Sequence, residues 1–211
     1  MKKTKDELQN IIFGDGPVGE DSQLKKAQTF LRRYAQTSVS SETSKQFKYQ
    51  EAAALLAFAE KEGLYYTLPV ITANFLGEGA EQKVYRYDDA TVLKTNQRIF
   101  YETWLDYFNS LLIHNYFFKT TAYHFIGFQI IDDVLQAIVQ QEFIISDEVV
   151  NQEQLKNFLI YNGFKHTRNN DYSHPEIGLI LEDLHDENVL SYHGILYFID
   201  TVFYLTPKFF H

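Results

Sequence analysis

The sequence contains no cysteine. Disulfides, a thiolate nucleophile and thiolate-held zinc are therefore excluded, and the chain suits a reducing compartment. It lacks any apolar run of the roughly 18 residues that a membrane span requires. No apolar signal core follows the basic start Met1-Lys2-Lys3-Thr4-Lys5. These absences together point to the cytoplasm. Positive charge is in short supply: 19 Lys and Arg against 28 Asp and Glu leave a net charge of −9. Such a chain repels a phosphate backbone at long range, which disfavours nucleic acid as a partner. His114, His124, His166 and His174 show no metal-ligand spacing. There is no internal repeat, and the only biased stretch is a Ser/Thr-rich loop over residues 36–45.

What is present is an aromatic core. Phe 18 and Tyr 15 stand against Met 1 and Trp 1 in 211 residues, and 45% of the residues are apolar. That is enough for one domain, or one with an appendage. Residues 1–20 carry Gly14, Gly16, Pro17 and Gly19 and read as a turn-rich lead-in. Leu24, Ala27, Leu31 and Tyr34 recur at helical spacing over residues 21–34, with Asp21 or Ser22 able to cap the start. Lys25, Lys26, Arg32 and Arg33 read as the wet face of that helix. A second helix spans 49–62 and ends at Gly63.

After Gly63 the pattern changes. Residues 64–71 are β-prone, and short strands are expected at 75–76, 84–87 and 91–93, with Asp88-Asp89 turning between the last two. An amphipathic helix over 98–115 follows, then strands at 123–130 and 135–143 around Asp132-Asp133. The rest reads as a helix over 151–161, a polar loop holding Asn169, Asn170 and Asp171, and β-like pieces at 177–181, 189–190 and 195–199.

Three pieces carry chemistry. The first is Gly77-Glu78-Gly79-Ala80-Glu81, between strands. Glycine there lets backbone N–H groups approach phosphates closely, although a plain hairpin turn has the same look. The second is Lys94, at the end of the apolar strand Val92-Leu93; such a lysine is costly to bury without an anion, and is otherwise an exposed strand end. The third is Asp183-Leu184-His185-Asp186-Glu187-Asn188, followed by Leu196-Tyr197-Phe198-Ile199-Asp200. A loop Asp can accept a hydroxyl proton, and Asn188 and Asp200 offer oxygens to a divalent cation. Asp200 read alone is equally a turn or capping residue.

The order of these pieces (glycine hairpin, strand lysine, helix, two strands, D-x-x-x-x-N, strand, Asp) is that of a protein kinase. Residues 183–190 resemble the catalytic loop of aminoglycoside-phosphotransferase-like and other atypical kinases. Gly-Glu-Gly-Ala-Glu, Leu-His-Asp-Glu-Asn-Val and Tyr-Phe-Ile-Asp are similar to pieces of the small polyvalent protein kinase domains of phages and mobile elements. The likeness covers about residues 75–205.

The resemblance implies an α+β, protein-kinase-like two-lobed fold: an N-terminal helical appendage over 1–63, an N-lobe with a five-stranded antiparallel sheet over 64–143, and a truncated helical C-lobe over 144–211. It implies ATP and Mg²⁺ as cofactors. Gly77, Glu78, Gly79, Ala80 and Glu81 would cover the phosphates and Lys94 would pair with them. Glu102, with Asp106 as the alternative, would hold Lys94. Glu142, Phe143 and Ile144 would face adenine, with Ile71, Leu76 and Val84 as walls. Asn188 and Asp200 would bind Mg²⁺, and Asp183 would act as base or orient the acceptor hydroxyl. His185 would orient the loop.

The chain also departs from the kinase pattern. Gln82 replaces the third glycine, Leu181 and Glu182 precede the catalytic Asp, and Thr201-Val202 follows Asp200. Eleven residues remain after Asp200, too few for an activation segment. The motifs thus accommodate an active phosphotransferase, a nucleotide-binding pseudokinase, or an interaction scaffold; the acceptor is a protein or a small molecule that the motifs do not specify.

Overall fold

The computed structural model describes residues 2–14, 22–37, 44–67, 74–79 and 82–211. Ile71, Ala80 and Glu81, expected to border the nucleotide, lie outside these residues, as does Asp21. The chain divides into two compact units. One, called here the sheet unit, is Asp15–Phe108 with Tyr123–Phe143; the other, the hairpin unit, is Met1–Gly14, Asn109–Ala122 and Ile144–His211. Among the described residues there are five α-helices and a five-stranded antiparallel sheet, an α+β chain. None of those helices is long and apolar enough to cross a membrane.

The sheet unit holds α2 (Ser22–Thr37), α3 (Ser44–Glu62), and strands β1 (Phe75–Glu78), β2 (Gln82–Arg86), β3 (Thr91–Asn96), β4 (His124–Ile131) and β5 (Val134–Glu142), in spatial order β1-β2-β3-β5-β4. Two acidic pairs make the turns. Asp88 Oδ1 accepts the N–H groups of Ala90 and Thr91 at 2.8 and 2.7 Å. Asp132 and Asp133 both take positive φ, 53° and 61°, as a tight two-residue hairpin requires. Helix α4 (Trp104–Phe117) begins six residues later than expected from the sequence. Arg98 sits at φ 61°, outside helical space. Thr103 and Asp106 instead form a capping box: Asp106 Oδ2 accepts from Thr103 N–H, and Thr103 Oγ1 accepts from Asp106 N–H, both at 3.1 Å. Trp104 and Phe108 then pack against Phe128, with ring centroids 5.8 and 5.7 Å away.

Residues 64–66 run along β4. Phe128 N–H donates to Leu64 O and Tyr66 N–H to Phe128 O, at 2.8 and 2.7 Å. Gly127 is required there, because a Cβ would come within 2.4 Å of Leu64 O. The wet face expected on α2 needs correcting at Lys25. This residue is 2% exposed, and its ammonium donates to the buried Gln28 Oε1 at 2.8 Å. Lys26, half exposed, pairs with Glu62 at 2.6 Å.

The hairpin unit differs more from expectation. Residues 2–13, read as part of a turn-rich lead-in, form helix α1 (Lys2–Phe13). Leu8 and Ile12 are buried one turn apart, and Phe13 meets Phe209 and Phe210 at 6.0 and 5.8 Å. A mostly helical lobe after residue 143 is also corrected. Residues 144–211 contain one α-helix, α5 (Gln152–Tyr161), and six short strands. These are β6 (Lys165–His166), β7 (Tyr172–His174), β8 (Leu179–Glu182), β9 (Val189–Tyr192), β10 (Ile195–Phe198) and β11 (Val202–Leu205). Positive-φ turns at Asn169, Gly178 and His193-Gly194 punctuate the segment too often for a second helix to propagate. β9 and β10 form a hairpin, and β11-β8-β7-β6 form a sheet. Asn151 caps α5 by accepting from Glu153 and Gln154 N–H.

His174 in β7 is 2% exposed, with its ring edge-on to Phe164 at 5.1 Å. Burial pushes its pKa below the ordinary value of about 6.5, and the nearby Glu176 carboxylate only partly opposes this. The unfolded chain therefore takes up the proton first. The neutral ring's contribution is intact above about pH 6.5 and is lost as pH falls from there through the lower folded value. Thermal melts between about pH 7.5 and 5 should show Tm declining, and His174→Gln should flatten the decline. Equal slopes for wild type and variant would refute this.

Candidate functional site

In the sheet unit, the strand register aligns one row across all five strands. Gly77 pairs with Val84, Val84 with Lys94, Lys94 with Val139, and Val139 with Phe125. Directly opposed residues share a sheet face, so Gly77, Val84 and Lys94 project to one side. Lys94 is 3% exposed, and its ammonium lies 5.5 Å from the Tyr123 ring centroid. A lysine this deep in a strand needs the stabilisation of neighbouring acceptors, π faces or an anion.

The glycine hairpin is closed by Gly79 N–H donating to Gln82 O at 2.9 Å. Neither Gly77 nor Gly79 has positive φ, and a Cβ built on either would meet nothing within 4 Å. Thus neither backbone conformation nor internal crowding calls for glycine at these positions, whereas close approach of a ligand would. Gly79→Ala should leave Tm unchanged or slightly higher, because the substitution only reduces unfolded-state entropy. For the phosphate-covering role that the resemblance implies, ATP Kd measured by calorimetry should rise about tenfold, equivalent to about 1.4 kcal/mol. An unchanged Kd would remove the hairpin from the site.

Of the two carboxylates expected to hold Lys94, Asp106 lies on α4 and Glu102 does not. Glu102 precedes α4 instead of lying on it; its side chain is exposed, and its carbonyl accepts from Arg98 Nη1 at 2.6 Å. Asp106 is engaged in the capping box. A carboxylate that sequence reasoning passed over, Glu51 of α3, is 1% exposed and accepts Trp104 N–H at 2.9 Å. Burial raises its pKa, opposed by the N–H donors of Trp104 and Leu105 and by the charge of Arg98. No periodicity marks Glu51, since it lies at the edge of the apolar run 52–59.

The segment expected to face adenine begins at the end of β5. Glu142 pairs with Thr91 in the sheet, Phe143 N–H is already donated to Ala90 O at 2.7 Å, and the Arg86 guanidinium sits 3.8 Å from the Phe143 ring centroid. Beyond Ile144 the chain clips onto the β9–β10 hairpin. Asp147 N–H donates to Ser191 O at 3.2 Å, and Ser191 Oγ donates to Glu148 Oε1 at 2.7 Å.

The hairpin unit contains Asp183, His185, Asn188 and Asp200. The loop 183–188 joins β8 to β9, and Asp183 takes φ 66°, a left-handed conformation that Asp enters more readily than most residues. Asn188, 8% exposed, donates from Nδ2 to the Asp183 carbonyl at 2.8 Å and to Asp183 Oδ2 at 2.9 Å. Glu187 N–H donates to His185 Nδ1 at 3.3 Å, so in the neutral ring the proton resides on Nε2, facing Asp183 Oδ1 at 3.3 Å. The 3.1 Å approach of Asn188 Nδ2 to that nitrogen is then donor against donor, and Asn188 directs its hydrogens to Asp183. His185 thus braces the loop. Asn188 O accepts both Ile199 N–H and Asp200 N–H, at 2.9 and 3.2 Å, which ties the end of β10 to the loop.

Asp171, read only as part of a polar loop, supports the same turn. Its Oδ1 accepts Asp183 N–H at 3.3 Å, and its Oδ2 pairs with Arg168 Nε at 3.4 Å. Glu182 has its pKa raised by partial burial, and further by the charges of Asp171 and Asp183.

A family model described as Serine/Threonine/Tyrosine Kinase found in polyvalent proteins matches residues 48–207, most of the chain. No curated protein and no solved structure matches.

Proposed function

Because the chain belongs to the family of serine/threonine/tyrosine kinases found in polyvalent proteins, we propose that it is an ATP- and Mg²⁺-dependent phosphotransferase with Asp183 as base. The observation that carries this reading is the loop 183–188, in which Asn188 grips Asp183 through two hydrogen bonds and holds Asp200 N–H on its own carbonyl. A capping or turn role for Asp200 alone would not call for that construction.

The donor chemistry fits Mg²⁺. Since Asn188 Nδ2 is spent on Asp183, its Oδ1 is the atom left to serve as a ligand, and Asp200 supplies a carboxylate. Both are hard oxygen donors. Among the described residues no group of three or more His, Asp or Glu could hold a metal on its own. Mg²⁺ would take one or two oxygens from Asn188 and Asp200 and the rest of its shell from nucleotide phosphate and water. When bound, the ion neutralises charge on the phosphoryl oxygens.

The chain's own residues then have distinct tasks. The glycine hairpin, open around Gly77 and Gly79, lets the phosphates approach its backbone closely, and Lys94 neutralises them. Asp183 orients the acceptor hydroxyl and takes its proton at Oδ1 as the new O–P bond forms and the bond to ADP breaks. His185 keeps that carboxylate in place. Catalysis of this kind is mainly positioning and charge neutralisation. The nucleotide lobe in this scheme is 64–143 and the catalytic lobe 144–211, and the protein works in the cytoplasm on an acceptor that carries a hydroxyl.

Lys94→Met is the direct test of the nucleotide half. The substitution keeps an unbranched apolar stem and removes the charge. ATP Kd should rise about tenfold or more, with each tenfold corresponding to about 1.4 kcal/mol. Unchanged ATP binding together with unchanged turnover would discard the role of Lys94.

A further inference from the structure

Within the hairpin unit, the segment that carries Asp200 is held by a chain of buried polar groups that the proposed chemistry does not use. His114, on the Asn109–Phe117 part of α4, is 0% exposed, Thr121 is 1% and Thr201 is 3%. His114 Nε2 lies 2.8 Å from Thr121 O, and His114 Nδ1 lies 2.7 Å from Thr201 Oγ1. Thr121 Oγ1 in turn donates to Phe198 O at 2.6 Å. A carbonyl can only accept, so Nε2 carries the ring proton. In the neutral ring Nδ1 is then the acceptor, and Thr201 Oγ1–H is its donor. One turn earlier on α4, Ser110 Oγ accepts Phe203 N–H at 2.9 Å.

The contacts bracket Asp200 on both sides. Phe198 is held two residues before it, Thr201 one after and Phe203 three after, while Asp200 N–H itself rests on Asn188 O. Apolar packing already presses this segment onto the helix side: Phe118 stacks on Phe198 at 4.1 Å and Phe117 on Phe203 at 5.8 Å. Stacked rings attract without strongly fixing how far the strand slides along them. Hydrogen bonds of fixed direction set that position, and apolar side chains of similar volume would fill the same space at lower desolvation cost. The polar chain is therefore better explained by register than by stability. Ser110 and His114, four residues apart on α4, are both fully buried.

We infer that His114 is a positioning residue for Asp200: by accepting the Thr201 hydroxyl it fixes the carboxylate where a divalent cation bound with the nucleotide needs it. This rests on Asp200 being a metal ligand, as proposed above.

The probe is Mn²⁺ in place of Mg²⁺, its binding to ADP-saturated protein read by electron paramagnetic resonance. Thr201→Val should weaken Mn²⁺ binding about 10- to 100-fold, the usual effect of removing a group that orients a metal ligand. ADP affinity without metal should stay at the wild-type value, and Thr201→Ser should restore Mn²⁺ binding. The two His114 variants separate the links of the chain and carry the test if Thr201→Val fails to fold. His114→Asn puts an amide oxygen near the position of Nδ1 and keeps the bond to Thr201. His114→Gln puts an amide N–H near the position of Nε2 and keeps only the bond to Thr121. His114→Asn should bind Mn²⁺ close to wild type, and His114→Gln should fall with Thr201→Val. If both weak variants bind Mn²⁺ normally while Asp200→Asn does not, the positioning role is wrong and the metal ligand stands. If Asp200→Asn also binds normally, both ideas fail. Equal losses in His114→Asn and His114→Gln, tracking their melting temperatures, would reduce His114 to a packing residue.

Discussion

Asp183→Asn is expected to abolish most of the phosphoryl transfer, lowering turnover on the order of 10²–10⁴-fold, the usual cost of losing a general base. The change is nearly isosteric. One amide oxygen can still accept from Asn188 Nδ2, as Asp183 Oδ2 does at 2.9 Å, and the bond from Nδ2 to the Asp183 carbonyl at 2.8 Å is untouched. Nucleotide binding should therefore stay near the wild-type value, because the proposed mechanism places Asp183 against the acceptor and not the phosphates. His185 Nε2–H can no longer pair with a charged oxygen, so some loosening of the loop should accompany the kinetic loss. Labelled ATP, with the protein itself and with generic hydroxyl acceptors, provides the assay. Undiminished transfer would remove Asp183 from the mechanism. A pseudokinase would show no wild-type transfer for the variant to reduce.

Asp200→Asn should have the complementary effect. It removes one negative charge from the proposed hard-cation site while keeping the backbone N–H on Asn188 O at 3.2 Å. Charge stabilisation at such sites is worth several kcal/mol, and about 3 kcal/mol corresponds to roughly 10²-fold. The loss should appear in nucleotide binding measured with Mg²⁺ and be absent without it. Equal affinities for wild type and variant in the presence of Mg²⁺ would end the metal assignment. Comparing the two variants distinguishes three functions: an enzyme shows both effects, a nucleotide-binding module only the second, and a scaffold neither.

What could be read from the sequence was mostly what is local. The turn at Asp88-Asp89, the positive-φ pair Asp132-Asp133 and the Asn151 cap are each recognisable within a few residues, and they frame the sheet and α5. The loop 183–188 is also local in its main bonds, since Asp183, His185 and Asn188 bond one another, although Asp171 supports it from outside. What was missed depends on partners distant in the chain. Helix α1 hid behind the glycines at 14–19, because Phe13 finds its ring partners near residue 209. Glu51 reaches Trp104 across 53 positions and His114 reaches Thr201 across 87, spacings no periodicity reveals. The late start of α4 was readable in principle, since Thr103-Trp104-Leu105-Asp106 is a capping-box sequence. In residues 144–211 the β-like pieces read at 177–181, 189–190 and 195–199 correspond to β8, β9 and β10, whereas β6, β7 and β11, of two to four residues, leave little alternation to detect.

The most direct test of ATP-dependent function is thermal unfolding of the unaltered protein with ATP alone and with ATP plus Mg²⁺. At ligand about 100-fold above Kd, binding adds about 2.7 kcal/mol to the folded state, which for a chain of this size shifts Tm by about 5–10 °C. ATP should raise Tm, and Mg²⁺ should increase that rise in wild type but not in Asp200→Asn. A wild-type Tm that neither ATP nor ATP with Mg²⁺ moves would contradict the proposal.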